Sequence, residues 1–262
     1  MPVDHYLKIG KGHKTCEDYI LSGLMPCPYV VLADGCSSSK NTDIGARLLC
    51  HIAKTALEGG DRTSRNGFIL DVADIAKSLI DNLSLPINCL DATIGIVKKD
   101  DNITFWGDGA IVMIGKSGHV YLYSIEYESG APFYPSYYVD QFRKNLYIEK
   151  FLTPKIIKHY NFFDNKWSVL SEWKESPLLP TIIEFNPVLY RCIIISSDGI
   201  GSFIDMDGTG LDIKSVIEQL VAFKNINGAF LQRRATKMIR NIEQQNIFHT
   251  DDISFGAIWL ED

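Results

Sequence analysis

Residues 91–127, DATIGIVKKDDNITFWGDGAIVMIGKSGHVYLYSIEY, decide the fold class. Four short runs, ATIGIV, NITFWG, AIVMIG and HVYLYSI, are separated by the turn clusters KKDD, GDG and KSG. Such runs read as strands, because β-branched and aromatic side chains fit a pleated surface while Gly and Asp supply turn backbone. The spacing predicts an antiparallel meander. Outward from it, residues 19–24 and 29–33 on one side, and TIIEF (181–185), RCIIISS (191–197) and residues 253–260 on the other, read as further strands.

Helical periodicity lies between these runs. Ile44, Leu48, Ile52 and Ala56 recur at helical spacing after a capping candidate at Thr42 or Asp43, and Ile69, Val72, Ala76, Leu79 and Leu83 do the same. Two more helices are expected near residues 213–223 and 230–246. In the last, Leu231, Ala235, Met238 and Ile242 form the apolar stripe, while Arg233, Arg234, Lys237 and Arg240 form a basic face read as solvated surface. The stretch 131–180, with APFYPSYY and NFFDNKW, has no clean period and reads as an insertion or flap. No repeat or Gly/Ser/Pro linker divides the chain, so a single domain over 1–262 is expected. Strands and helices segregate instead of alternating, which indicates α+β layers with mainly antiparallel sheets.

The 262 residues are 46% apolar, enough for a sizeable core. With 26 basic and 32 acidic residues the formal charge is −6, so no excess positive field exists to hold a nucleic-acid backbone. The amino terminus lacks the apolar centre of a signal peptide, and no apolar run approaches the roughly 20 residues that span a bilayer. A cytoplasmic protein without a membrane partner is expected. Cys16, Cys27, Cys36, Cys50, Cys89 and Cys192 are scattered without close pairs, which favours reduced thiols.

Acidic residues stand where apolar runs stop. PYVVLADG ends at Asp34, RCIIISSDG at Asp198, Asp251 and Asp252 precede ISFGAIWL, and Glu17 and Asp18 abut YIL. Strand ends of one sheet system share a rim, so these carboxylates are placed to converge, and convergent carboxylates need protons or cations to neutralise them. An oxygen-only set without a His pair suits Mg²⁺ or Mn²⁺ better than Zn²⁺. Glu17, Asp34, Asp198 and Asp251 carry about four charges, which two divalent ions balance while leaving coordination positions for a phosphate. The alternative is that Asp34-Gly35, Asp108-Gly109 and Asp198-Gly199 are simply tight turns joining strands.

In order along the chain, GHKTCEDYIL (12–21), VVLADGCSSS (30–39), DATIGIV (91–97), ITFWGDGAIVMI (103–114), IIISSDGIGSF (193–203) and DDISFGAIWL (251–260) resemble the motifs of the metal-dependent protein phosphatases, the type 2C serine/threonine phosphatases, in a divergent, bacterial-like form. The resemblance implies an α+β fold: a central β-sandwich of two antiparallel sheets flanked by helices on both sides, in four α-β-β-α layers. It implies hydrolysis of phosphoserine and phosphothreonine on a phosphorylated protein substrate by a water bridging two Mn²⁺ or Mg²⁺ ions. Asp34 would bridge both ions and position the water, Gly35 would offer its carbonyl, and Glu17 would serve the same ion directly or through water. Asp198 and Asp251 would hold the other ion, Asp252 takes a position where the family commonly has Asn, and Asp108 would help hold a third. A monomer is expected.

Two departures bear on activity. The register of the family's phosphate-gripping Arg falls on His13, with Lys14 beside it, and neither offers the guanidinium fork. Where many members carry a His after the bridging Asp-Gly, this chain has Cys36, Ser37 and Ser38, all poor general acids at neutral pH. A catalytically weak or inactive pseudophosphatase, acting as a binding or regulatory module, is therefore the competing expectation.

Overall fold

Strand 29–35 shows how the layers arise. Tyr29, Val31 and Ala33 pack into a core beneath helices, whereas Val30 and Leu32 face a second sheet, so both faces of this strand are covered by apolar side chains. A computed structural model describes residues 1–60 and 67–261. The elements are β1 (Val3–Lys8), β2 (Asp18–Gly23), β3 (Tyr29–Gly35), α1 (Thr42–Glu58), α2 (Phe68–Asn82), β4 (Ala92–Lys98), β5 (Ile103–Trp106), β6 (Gly109–Gly115), β7 (Val120–Tyr127), α3 (Gln141–Phe151), β8 (Lys155–Phe163), β9 (Lys166–Glu175), β10 (Thr181–Ile183), β11 (Tyr190–Ser196), β12 (Phe203–Ile204), α4 (Ile213–Leu220), α5 (Phe230–Glu243), β13 (Phe248–His249) and β14 (Ile253–Trp259).

Two antiparallel sheets stack face to face, ordered β1-β14-β11-β6-β7-β8-β9 and β10-β5-β4-β3-β2. Ile20, Val30, Leu32, Phe105, Ile193 and Ile258 are among the side chains between them. The cores over the two outer faces lie under α1 and α2 on one side and under α4 and α5 on the other, giving the expected α-β-β-α order. Among the described residues no helix is long and apolar enough to cross a membrane. All six cysteines are free, with Cys50, Cys89 and Cys192 buried.

Several expectations need correcting. The meander over 91–127 is split: β4 and β5 pair in the five-stranded sheet, β6 and β7 in the seven-stranded one. The chain changes sheets through Gly107 and Gly109, whose φ of 107° and 141° side-chain-bearing residues rarely adopt. In α1 the buried face runs through Ala46, Leu49, Cys50, Ala53 and Leu57, while Ile44 is exposed; Thr42 is the first helical residue, and Asn41 precedes it without a side-chain cap bond. In α2, Leu79 is exposed and Ile80 takes the core position; Leu83, just beyond the helix, is also exposed. The stretch 131–180 holds regular structure: α3, then the hairpin β8–β9 turning at Asp164 and Asn165, both left-handed.

Strand β1 was not expected. It pairs with β14 from Val3↔Ile258 to Lys8↔Ile253, and its buried Asp4 accepts the N–H of Leu231 and of Gln232 at 2.7 and 3.0 Å, capping α5 from outside the helix. An inward-facing acid breaks the apolar alternation by which a strand is recognised.

Candidate active site

The acids gather where the two sheets open at one end. Asp18 and Asp34 are register partners on β2 and β3, and by strand parity with Ile20, Val30 and Leu32 both face the gap between sheets. Ser197 and Ser254 neighbour Asp18, and the Ser254 N–H donates to Ser197 Oγ at 3.1 Å. Thr93, the β4 partner of Asp34, donates its hydroxyl to Asp108 Oδ1 at 3.1 Å. Asp198 starts the single 3-10 turn Asp198–Gly201 after β11, and Asp251 stands just before β14.

Asp34, Asp108, Asp198 and Asp251 line one cavity of about 140 Å³ with Gly35, Cys36 and Thr93, under a roof formed by Gly130, Pro132 and Tyr134. A larger cavity of about 680 Å³ adjoins it through Asp108, Asp198 and Asp251. His13, Lys14 and Glu17 stand outside this lining. Glu17 Oε1 accepts the Thr42 hydroxyl at 3.0 Å, and its backbone carbonyl accepts the Gly35 N–H at 3.2 Å, so it borders the cavity from the start of α1.

None of the three Asp-Gly pairs is a hairpin turn. Asp34-Gly35 leads towards α1, Asp108-Gly109 joins the two sheets, and Asp198-Gly199 opens the 3-10 turn. Glycine is required there by close approach. A Cβ on Gly35 would meet Thr42 Cβ at 2.8 Å, and one on Gly199 would meet the Asp252 carbonyl oxygen at 1.8 Å. Gly199→Ala must push Asp198 away from the Asp251–Asp252 segment; a loss of roughly 1–3 kcal/mol in urea unfolding, with impaired turnover, is expected.

Crowding raises the proton affinity of the cluster. Burial, opposed by the neighbouring polar groups of Asp34, Ser254 and Ser197, pushes Asp18 up to about 7. Loss of surrounding water and then the charge of Asp198 push Asp108 up to about 7. Asp34 is held well above the carboxylate range by the same loss of water and the charges of Asp18, Asp198 and Asp108. Asp198 is raised by desolvation and Asp251, and Glu17 by desolvation more than the Thr42 bond offsets. As the side chains stand, among the described residues no three His, Cys, Asp or Glu converge as an ion-holding set.

A sequence profile of the protein phosphatase 2C family matches residues 9–223. The chain belongs to that family. No curated protein matches it by sequence. Similar solved structures include the serine/threonine phosphatase Stp1 from Staphylococcus aureus, at 12% identity and TM-score 0.57, covering 99% of this chain and 95% of that one. The PPM Ser-Thr phosphatase MsPP from Mycobacterium smegmatis, solved with cacodylate, aligns at 11% identity and TM-score 0.55, covering 100% and 99%. PppA from Pseudomonas aeruginosa aligns at 12% identity and TM-score 0.52, covering 98% and 96%.

The fold of this phosphatase 2C chain adds contacts around its acids. Asp252 is buried: its Oδ1 accepts the Gly10 N–H at 2.8 Å and its Oδ2 the Glu17 N–H at 2.6 Å, tying the first acidic segment to β14. His13 lies between the last two acids, with Nε2 3.4 Å from Asp251 Oδ1 and Nδ1 3.1 Å from Asp252 Oδ2, the latter off the line of a good hydrogen bond. Burial alone lowers His13, but Asp252, Asp251 and Glu17 outweigh it and raise the imidazole above its ordinary value. Tyr134 is buried with its hydroxyl beside Cys36, and burial drives the phenol far upward. Asp91 secures the roof: it accepts Ser136 Oγ at 2.6 Å, Ser39 Oγ at 2.7 Å and Arg143 Nη2 at 2.7 and 2.8 Å. No local motif marked Tyr134, and the DATIGIV motif begins with Asp91 but gives no sign of the roof across from it.

Proposed function

We propose that this chain hydrolyses phosphoserine and phosphothreonine on proteins with the help of two divalent cations, Mn²⁺ or Mg²⁺. The observation that carries this reading is the cavity walled by Asp34, Asp108, Asp198 and Asp251 with no Lys, Arg or His in its lining. Among the described residues no basic side chain forms an ion pair with Asp18, Asp34, Asp108 or Asp198, and the buried Asp18 Oδ2 has no hydrogen-bond partner. A carboxylate set of this kind, in which, among the described residues, Asp251 alone of the four cavity acids faces a basic side chain, His13, fits hard divalent ions. Asp34 would serve both ions, Glu17 and the Gly35 carbonyl one of them, Asp198 and Asp251 the other, and Asp108 a third. When bound, such ions supply Lewis acidity for phosphoryl oxygens and lower the pKa of water at neutral pH.

The chain's own groups do the rest. Asp18 stands beside Asp34 across the β2–β3 pairing, and Thr93 fixes Asp108. Asp252 sets the backbone at Gly10 and Glu17. His13, its proton affinity raised, and the exposed Lys14 next to it add positive charge at the rim and contact the phosphate in place of an Arg fork. The Tyr134 hydroxyl, which burial keeps protonated, belongs to the cavity lining, where it would donate a hydrogen bond, and not its proton, to the leaving oxygen. Tyr134→Phe is expected to lower kcat on a phosphothreonine peptide about 10–100-fold. On an aryl phosphate, whose phenolate leaves without a proton, the fall should be far smaller; equal falls would remove Tyr134 from this role.

Phosphate release from a phosphothreonine peptide tests the reading: activity with Mn²⁺, loss on chelation and recovery on re-addition are expected. Absence of turnover in excess Mn²⁺ contradicts it. The regulatory-module reading draws on the lack, among the described residues, of a converged three-ligand set, and it is favoured if Mn²⁺ leaves both turnover and melting temperature unchanged.

A further inference from the structure

The basic face of α5 remains outside the chemistry described so far. Lys224, Arg233, Arg234 and Lys237 surround a cavity of about 120 Å³ floored by Phe223 and Phe230. It continues into a shallower groove of about 480 Å³ along α5, past Gln232, Thr236, Arg240 and Asn241. Arg233 is held in place by loop carbonyls, with Nη2 2.6 Å from Asn227 O, and Arg234 Nε is buried without a hydrogen-bond partner. Among the described residues none of these five cations forms an ion pair, in a protein whose net charge is −6.

The socket is remote from the acid cavity. Phe223 and Phe230 pack edge-on against Trp259, at the far end of β14 from Asp252, with centroids 5.9 and 6.2 Å apart. At about 3.4 Å per residue the strand separates the two sites by roughly 24 Å. The groove along α5 runs back towards Glu243, which is paired with Lys8 near the acid end.

We infer that this groove is a docking site for an acidic segment of a protein substrate, with the socket at Lys224, Arg233, Arg234 and Lys237 taking a carboxylate or phosphoryl group. Charge complementarity selects the partner, and the amides and hydroxyl of Gln232, Asn241 and Thr236 suit a peptide backbone better than a lipid surface. No large apolar side chain is exposed on α5, so the face has nothing to insert into a bilayer. It exposes no aromatic platform for stacked bases. A phosphatase whose active cavity is itself acidic gains most from such a surface, since it captures acid-rich chains that the net charge would repel. Only the catalytic consequence rests on the phosphatase reading.

The binding part is tested without turnover. Fluorescence anisotropy of a labelled Glu-rich peptide carrying one phosphothreonine is measured in chelator, against wild type, Arg233→Glu/Lys237→Glu and Lys237→Glu/Arg240→Glu; the second double variant removes no intramolecular bond. Binding that weakens at least ~10-fold in both variants and falls with added salt is expected. Unchanged binding in both, or tighter binding of phosphatidylserine vesicles or duplex DNA than of the peptide, overturns the inference. With Mn²⁺, KM for the same peptide should rise about tenfold while aryl phosphate turnover stays level. If wild type turns over neither substrate, the phosphatase reading fails and the anisotropy result still decides the docking site.

Discussion

Asp34→Asn is expected to reduce turnover of a phosphothreonine peptide by at least ~10³-fold, equivalent to about 4 kcal/mol of transition-state stabilisation, while making the cation-free protein more stable. Both effects come from one side chain. The Asp34 carboxylate lies among Asp18, Asp108 and Asp198, whose charges raise its proton affinity. Asparagine keeps the shape but removes the repulsion. A gain on the order of 1–2 kcal/mol, or about 3–6 °C in melting temperature, follows for the chelated protein. The same change removes the ligand common to both ions, so the rise in melting temperature that Mn²⁺ gives wild type should vanish. A variant that is less stable in chelator and still stabilised by Mn²⁺ would show Asp34 to be a structural residue.

Raising the pH should weaken the cation-free fold. Asp18 has a folded value of about 7 against an ordinary 3.8, and Asp108 shifts the same way to about 7. Between these values the native state binds protons that the unfolded chain has released. The contribution to stability is therefore complete below about pH 4 and is lost as pH rises through about 7. At about 1.4 kcal/mol per unit, shared among coupled carboxylates, the cluster contributes on the order of 3–5 kcal/mol over that interval. Urea unfolding in chelator at pH 5 and pH 8 measures it, and Asp18→Asn isolates the cluster from other titrating groups by flattening the profile. Excess Mn²⁺ should flatten it as well, because cations replace protons as the neutralising charge. Wild-type and Asp18→Asn profiles of equal slope would contradict this.

Much of the architecture was legible because strand-ending acids and apolar runs are local signals. The positions of Asp34, Asp198 and Asp251 at strand ends follow from VVLADG, IIISSDG and DDISFG, and the stripe of α5 buries Leu231, Ala235, Met238 and Ile242 as periodicity required. What escaped was set by contacts across the fold. That Asp18 stands opposite Asp34 is set by the pairing of β2 with β3, which its place beside YIL does not reveal. The stripe of α1 shifts by one residue because Gly45 lies against the Cys89 carbonyl and brings Ala46, Leu49 and Ala53 inward. The hairpin β8–β9 lacks alternation because β9 is an exposed sheet edge, so only the Asp164-Asn165 turn marked it. Tyr134 reaches the cavity because Asp91, 43 residues earlier, anchors Ser136 and Arg143 beside it.

Anomalous diffraction from crystals grown in excess Mn²⁺ tests most directly whether these acids form a two-ion centre. Two manganese peaks, each about 2.0–2.3 Å from an Asp34 oxygen, with Asp198 and Asp251 on one and the Gly35 carbonyl on the other, are expected. Crystals in which no peak lies within coordinating distance of Asp34 would contradict the assignment.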